Sequence, residues 1–221
     1  MAEVTPVPAA SVIVLRDAQP SFEVLMIRRH EGASFVPNVW VFPGGMVEQL
    51  DREIARELGD GSLLGRMRVA AARELFEEAG VWLGAPIENS DSKRRRLLAG
   101  NLGFRHLLEE SSIDFEKLVW TSHWITPEGL PKRFDTYFFL ARADEGVRAS
   151  VDDKEAVDVV WIAPAAAIET LELVFPTMKN LEAIDGYRSA DELIASRRGA
   201  EIKAVQPKML IVSGKRTFVL P

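Results

Sequence analysis

Apolar and polar positions fall into blocks whose period changes along the chain. Ser11-Val12-Ile13-Val14-Leu15-Arg16 and Phe22-Glu23-Val24-Leu25-Met26-Ile27 are short runs dominated by aliphatic and β-branched residues, with the turn cluster Asp17-Ala18-Gln19-Pro20 between them. This predicts strands over 9–16 and 22–29 joined as a hairpin, behind a loose tail over 1–8. After a loop over 30–38, Val39-Trp40-Val41-Phe42 predicts a short strand running into the tight turn Pro43-Gly44-Gly45, where backbone can approach a ligand or a neighbouring element closely. The period then lengthens. Val69, Ala72, Leu75, Phe76 and Ala79 recur at helical spacing, predicting a helix over 65–79 with one side on a core and Gly80 at its C-terminal end.

Around that helix the pattern predicts a short helix over 52–57, a turn at Leu58-Gly59-Asp60-Gly61-Ser62, a brief strand over 81–84, and helices over 94–99 and 102–110, with 114–118 continuing the helical section. Strands are expected over 118–126, 134–143 and 157–162. Helices are expected over 164–171, with Pro164 in the first turn, over 176–183 and over 190–198. A terminal hairpin over 205–212 and 216–220 turns at Ser213-Gly214-Lys215. No internal repeat or low-complexity linker interrupts the chain. The expected fold is α+β, a mixed sheet between helices in one domain over 1–221, with helical additions near 90–117 and 176–198.

The polar side of the 65–79 helix changes the picture. Arg73-Glu74-Leu75-Phe76-Glu77-Glu78-Ala79-Gly80-Val81 places Glu74 and Glu78 four apart and Glu74 and Glu77 three apart, so all three carboxylates can project from one face. Like charges at these spacings destabilise a bare helix. A hard divalent cation such as Mg²⁺ or Mn²⁺, which takes oxygen ligands, would relieve the repulsion. The plain alternative is a solvated acidic face with Arg73 as an intrahelical partner. The glycine turn upstream tips the balance. Together, Phe42-Pro43-Gly44-Gly45 and Arg-Glu-apolar-x-Glu-Glu-x-Gly-apolar resemble the signature of the Nudix hydrolases. Gly45 matches the first glycine, and Arg73, Glu74, Leu75, Glu77, Glu78, Gly80 and Val81 match the second half.

Two departures from that pattern stand out. Asp51 occupies the position of a glutamate, shorter by one methylene, which puts its role at the metal or in holding the loop in doubt; Glu48 and Glu53 are nearby substitutes. The gap from Asp51 to Arg73 holds 21 residues (52 through 72) where the family pattern has seven, so an excursion of a helix and a turn, about 52–65, interrupts the motif. The interrupted form resembles the subgroup of peroxisomal coenzyme A diphosphatases. His123-Trp124-Ile125-Thr126-Pro127, Arg133-Phe134-Asp135-Thr136-Tyr137-Phe138-Phe139 and Glu155 with Val159-Val160-Trp161-Ile162-Ala163-Pro164 extend the likeness over roughly 8–185.

Composition narrows the partners. Apolar residues make up 47% of 221 residues, enough for a sizeable core, and the net charge of −6 argues against nucleic acid, which needs clustered Lys and Arg. Lys93-Arg94-Arg95-Arg96 is the one basic cluster and reads as a solvated helix start. Without cysteine there is no disulfide, thiolate or cysteine-based zinc site, which suits a reducing compartment. No apolar run reaches the ~18 residues of a membrane helix. Neither a signal peptide nor a peroxisomal address is legible at the termini. A cytoplasmic protein with no membrane partner is expected.

The resemblance implies an α/β/α sandwich and metal-dependent hydrolysis of a diphosphate linkage in a nucleotide-type small molecule. Coenzyme A or its thioesters are favoured, with ADP-ribose or a dinucleotide as the alternative. On that reading Glu74, Glu77 and Glu78 hold Mg²⁺ or Mn²⁺, and one of them or Glu155 takes the proton of the attacking water. Arg73 orients a glutamate, and Gly44 and Gly45 bring backbone to the metal and phosphates. Arg28, Arg29 and Arg133 are candidates for phosphate contacts, and Phe35, Trp40 and Trp124 for stacking on a base. His30, His106 and His123 show no metal-like spacing. The extra segments are expected to shape the pocket or a homodimer contact. A Nudix-fold binding module that has lost catalysis is the reading from a different class.

Overall fold

The computed structural model describes residues 4–33, 36–144, 146–151, 155–212 and 215–220. Strand β1 (Val7–Asp17) is its spine. Its apolar residues alternate between two cores, Val12 and Val14 to one side and Ile13 and Leu15 to the other, all fully buried. A strand buried on both faces reads as a continuous apolar run, which is why this segment lacks polar alternation. The strand β2 (Phe22–Arg29) follows as the expected hairpin, pairing antiparallel with β1 over Phe22–Val24.

Beyond that short ladder β1 and β2 part, and the segment carrying the glycines enters the split. Strand β3 (Trp40–Val41) pairs with β2, and β4 (Gly44–Met46) pairs antiparallel with β1 through Ala9–Met46, Ala10–Gly45 and Ser11–Gly44. The Ser11 hydroxyl donates to the Pro43 carbonyl at 2.9 Å and the Val12 N–H donates to the same oxygen at 2.9 Å, tying down the junction. The glycines expected in a tight turn are thus an extended strand. A Cβ on Gly44 would collide with the Ala10 carbonyl and the Ser11 backbone, so glycine here permits strand against strand at close range.

Helix α1 (Gln49–Glu57) and the turn at 58–62 form the excursion within the motif, and α2 (Leu63–Ala79) lies over β1. The Ser62 hydroxyl accepts from Gly65 N–H at the start of α2, and Gly80 at its end adopts φ 67°, the left-handed region that glycine enters without penalty. Helices α3 (Ser90–Leu98) and α4 (Phe104–Glu110) follow, then a 3₁₀ turn (Phe115–Lys117). The strand expected over 81–84 is an isolated bridge between Gly84 and Ile113.

Strands β5 (Val119–Ile125), β6 (Phe134–Arg142) and β7 (Ala156–Ile162) complete most of the sheet; β6 runs parallel to β1 and β7 antiparallel to β2. Helices α5 (Pro164–Thr170), α6 (Phe175–Ile184) and α7 (Ala190–Arg197) come next. The expected strand over 205–212 divides into β8 (Ala204–Val205), parallel to β5, and β9 (Lys208–Val212), which pairs with β10 (Lys215–Val219) in a separate ribbon. Its expected turn at Ser213 and Gly214 lies outside the described residues. The main sheet runs β3-β2-β1-β6-β5-β8. Residues of α1, α2 and α4 pack on one face, and residues of α5, α6 and α7 pack on the other. The α/β/α sandwich with a mixed sheet is therefore present.

Candidate active site

Chemistry collects where α2 crosses the β4–β1 pair. Glu78 is almost wholly buried, and its Oε2 accepts the Gly44 N–H at 2.7 Å. The Glu74 carboxylate stands directly over Gly45, so close that a Cβ there would overlap it. Arg73, Glu74 and Glu78 are 4%, 8% and 4% exposed, which excludes a solvated acidic face for this part of the helix.

Arg73 organises the loop. Its Nε and Nη2 donate to Asp51 Oδ1 and Oδ2 at 2.9 and 3.0 Å as a bidentate fork, and Nη2 also donates to the Met46 carbonyl at 3.0 Å. Nη1 lies 2.9 Å from Glu77 Oε2 and 3.0 Å from Glu74 Oε1. Burial alone would lower the Arg73 pKa; the Asp51 hydrogen bond and the charges of Glu74, Asp51 and Glu77 override it and raise it. The guanidinium's donors are thus met by protein oxygens. Asp51 Oδ2 also accepts the Glu48 N–H at 2.8 Å, so the shortened acid holds the entry to α1 and the arginine at once.

The glutamates pay an electrostatic cost. Burial pushes Glu74 up to about 7, opposed by Arg73 and reinforced by Glu77 and Glu155. Burial likewise holds Glu78 well above the usual carboxylate range, with Glu74 and Glu155 adding to the rise and Gly44 N–H and Arg29 opposing it. Glu77 is raised chiefly by burial, against Arg73. The charge of Glu155 reaches both Glu74 and Glu78. Its backbone carbonyl accepts the His30 N–H at 3.0 Å, which fixes it at the head of β7. Its neighbours Asp152, Asp153 and Lys154 lie outside the described residues.

The arginines separate. The charge of Arg29 acts on Glu78, and the buried Arg29 Nε has no hydrogen-bond partner. Arg28 pairs with Asp158 at 3.6 Å across β7. Arg133 does not present itself to a phosphate as the sequence suggests. It is 3% exposed, with Nε donating to the Thr126 carbonyl at 3.0 Å and Nη1 to the Val4 carbonyl at 2.9 Å, pinning the start of β1 to the β5–β6 connection. Among the stacking candidates, Trp124 belongs to the core beneath α6, edge-on to Phe175, and Phe35 lies outside the described residues.

Sequence reasoning missed Arg94. Taken as part of a solvated basic run, it is 5% exposed; its Nε and Nη2 donate to the Glu77 carbonyl at 2.9 and 2.7 Å, and Nη1 donates to the Ser150 carbonyl at 2.9 Å. A guanidinium on the last carbonyls of a helix is favoured by the helix dipole. No local pattern signals it, because the contact spans 17 residues of chain.

A divalent cation fits the donor set by charge. Glu74, Glu78 and Glu155 repel one another, two of them without water to screen them, and all offer hard oxygen. Among the described residues no three acidic or imidazole groups already converge as a ligand cage, and Glu77 is turned to Arg73.

The site is thus a buried, self-repelling carboxylate pair on a helix, facing a glycine strand wedged into a split sheet. The model of the NUDIX domain matches residues 5–181, and the chain belongs to the Nudix family. It is 27% identical over 216 residues to the acyl-coenzyme A diphosphatase NUDT19 of Xenopus laevis, covering 67% of this chain and 54% of that protein. It is 28% identical over 210 residues to the Gallus gallus protein of the same name, covering 67% and 56%. The chain thus spans about half the length of these relatives. The crystal structure of a Nudix hydrolase from Alicyclobacillus acidocaldarius shares the fold, with a TM-score of 0.77 at 24% identity over 88% of this chain and 97% of that one.

Proposed function

We propose that this chain is a metal-dependent hydrolase of a diphosphate linkage in a nucleotide-type small molecule, with coenzyme A or acyl-coenzyme A as the favoured substrate. The observation that carries the reading is the buried Glu74–Glu78 pair facing Gly44 and Gly45. Two relatives named as acyl-coenzyme A diphosphatases support the substrate choice. Asp51, which with the insertion speaks for a silent binding module, makes a bidentate contact with Arg73, which supports the hydrolase reading.

Glu74 and Glu78, with Glu77 on rotation away from Arg73, would hold Mg²⁺ or Mn²⁺. When bound, the cation neutralises diphosphate charge and acidifies a bound water. The protein's own groups do the rest. Gly44 and Gly45 admit the diphosphate against bare backbone. Arg29, with an unpartnered buried Nε, is the arginine best placed to meet a phosphate oxygen. Arg73 locks the helix face through Asp51. Glu155 takes the proton from the attacking water, because it is exposed and its charge reaches the buried pair. The partner is the small-molecule substrate, not nucleic acid. Among the described residues no helix is long and apolar enough to cross a membrane. The cysteine-free composition suits a reducing compartment, and the cytoplasm is the one we propose.

The test is hydrolysis of coenzyme A, an acyl-coenzyme A, ADP-ribose and a dinucleoside polyphosphate with Mg²⁺ or Mn²⁺, products resolved by mass. Glu78→Gln is expected to reduce kcat by at least about 10²-fold, in line with loss of electrostatic stabilisation. No turnover of any diphosphate by wild type would overturn the proposal.

A further inference from the structure

The β4–β1–β6–β5 register runs from the carboxylate site to a cluster of side chains that the proposed chemistry does not use. Ala10 faces Gly45 on one side and Tyr137 on the other, and Tyr137 faces His123. At about 4.8 Å per strand, Tyr137 lies about 10 Å from Gly45 along this row and His123 about 14 Å. Ala10 and Tyr137 belong to the layer beneath α2, and Glu74 stands over Gly45, so the row occupies one face.

Its far end is aromatic. Tyr137 stacks on Trp120 with ring centres 5.3 Å apart and planes 22° apart, and the His123 ring lies 4.1 Å from Tyr137 at 32°. Two pairs further toward the end of the sheet on β6, Asp135 bonds His123 Nε2, their side chains 30% and 12% exposed. In the opposite direction Phe139 closes the row, fully buried. The cluster is therefore shut toward the core and open toward the strand ends. An ionised Asp135 fixes the Nε2–H tautomer of His123 and leaves Nδ1 a bare acceptor. The remaining Asp135 oxygen is a second acceptor. The open end of the row thus offers π-faces and acceptors.

We propose that Trp120, Tyr137, His123 and Asp135 form a nucleobase subsite that takes a base carrying an exocyclic amino group, adenine above all. The proposal rests on the diphosphate-site reading, since the row's aromatic end lies about 10 to 14 Å from Gly45. The base lies over the His123–Tyr137 pair, and its amino N–H donates to the remaining Asp135 oxygen. Hypoxanthine, with a carbonyl in place of the amino group, meets an acceptor there and is rejected; loss of such a bond, with one acceptor facing another, disfavours it. Coenzyme A and ADP-ribose both carry adenine.

The chain has three histidines, so its imidazole NMR resonances are few enough to assign with a His123→Gln variant. The full chain in EDTA is titrated with adenosine 5′-monophosphate and with inosine 5′-monophosphate, which requires no turnover. Expected are an upfield shift of the His123 signal with adenosine 5′-monophosphate, static His30 and His106, and at least 10-fold weaker binding of the inosine compound. Asp135→Asn supplies an amide donor and is expected to erase or invert that preference while thermal unfolding stays cooperative, a change that a packing role would not produce. Equal affinity for the two nucleotides, absence of binding, or a motionless His123 signal on binding would overturn the subsite. Diphosphate hydrolysis with unchanged KM in His123→Gln and Asp135→Asn would also overturn it while leaving the hydrolase standing. Base-selective binding without any hydrolysis would do the reverse.

Discussion

Asp51 and Arg73 show how a one-methylene change in a motif is absorbed. Asp51 is fully buried, and each of its oxygens accepts from Arg73. Removing one member of a buried pair leaves the other charge without compensation, typically at about 3–5 kcal/mol. Asp51→Asn is therefore expected to lower the urea midpoint by an amount equivalent to a few kcal/mol, with the m-value unchanged. Glu48→Ala and Glu53→Ala, the acids weighed as substitutes, are expected to have far smaller effects; equal loss in all three would refute the clamp. Gly45 separates activity from stability. Its new Cβ in Gly45→Ala would displace the flexible end of Glu74, not backbone, so the fold can adjust while the carboxylate moves. Displacement of a reacting-site group by about 1 Å can cost about 10²-fold. The expected result is a kcat loss of that order with little change in melting temperature. The helical spacing of the glutamates was legible because it is local. Which acid Arg73 would grip was not, because that contact spans the excursion.

At the scale of elements, helix α2 was readable almost to its ends: the apolar stripe and Gly80 are local signals that agree, while the capping Ser62 was read only as part of the preceding turn. Strand β4 was not, because Gly-Gly reads as a turn wherever long-range pairing is unseen, and here β1 supplies a ladder that overrides it. Strand 81–84 failed for the opposite reason: Val81 and Trp82 are apolar because they pack into the core under α2, not because they join the sheet. The row from Gly45 to His123 was invisible for the same reason as β4, since its members come from four strands. The C-terminal end of α2 invites a direct test. Gly80 is left-handed, and a non-glycine residue there costs about 1–2 kcal/mol. Arg94 holds the adjacent Glu77 carbonyl. Gly80→Ala is expected to lower stability by about that amount, and Arg94→Ala by more, because it strips a buried carbonyl of its donors. Thermal unfolding of the two variants ranks them; Arg94→Ala without effect would return that residue to the solvated surface assigned from sequence.

For the molecule as a whole, the buried acids couple folding to pH and to metal. A carboxyl whose folded pKa is raised contributes stability that is fully present below its unfolded pKa and is lost as pH rises through the folded value. For Glu74 that window runs from about 4.5 to about 7, and Glu78 acts in the same direction. In EDTA the melting temperature is therefore expected to fall between pH 5.5 and pH 8. For Glu74 alone the window corresponds to about 3 kcal/mol at most. A divalent cation binds the ionised form, so its effect has the opposite slope: Mg²⁺ or Mn²⁺ should stabilise the protein more at pH 8 than at pH 5.5, by about 2.7 kcal/mol when present at 100 times its dissociation constant. Replacing both acids, Glu74→Gln with Glu78→Gln, should flatten the EDTA profile and remove the metal-dependent gain together, because one pair of carboxylates underlies both. A metal gain that survived the double replacement would place the cation elsewhere. A flat EDTA profile in wild type would mean that the two acids are solvated in solution, and the electrostatic argument for a cation between them would lose its basis.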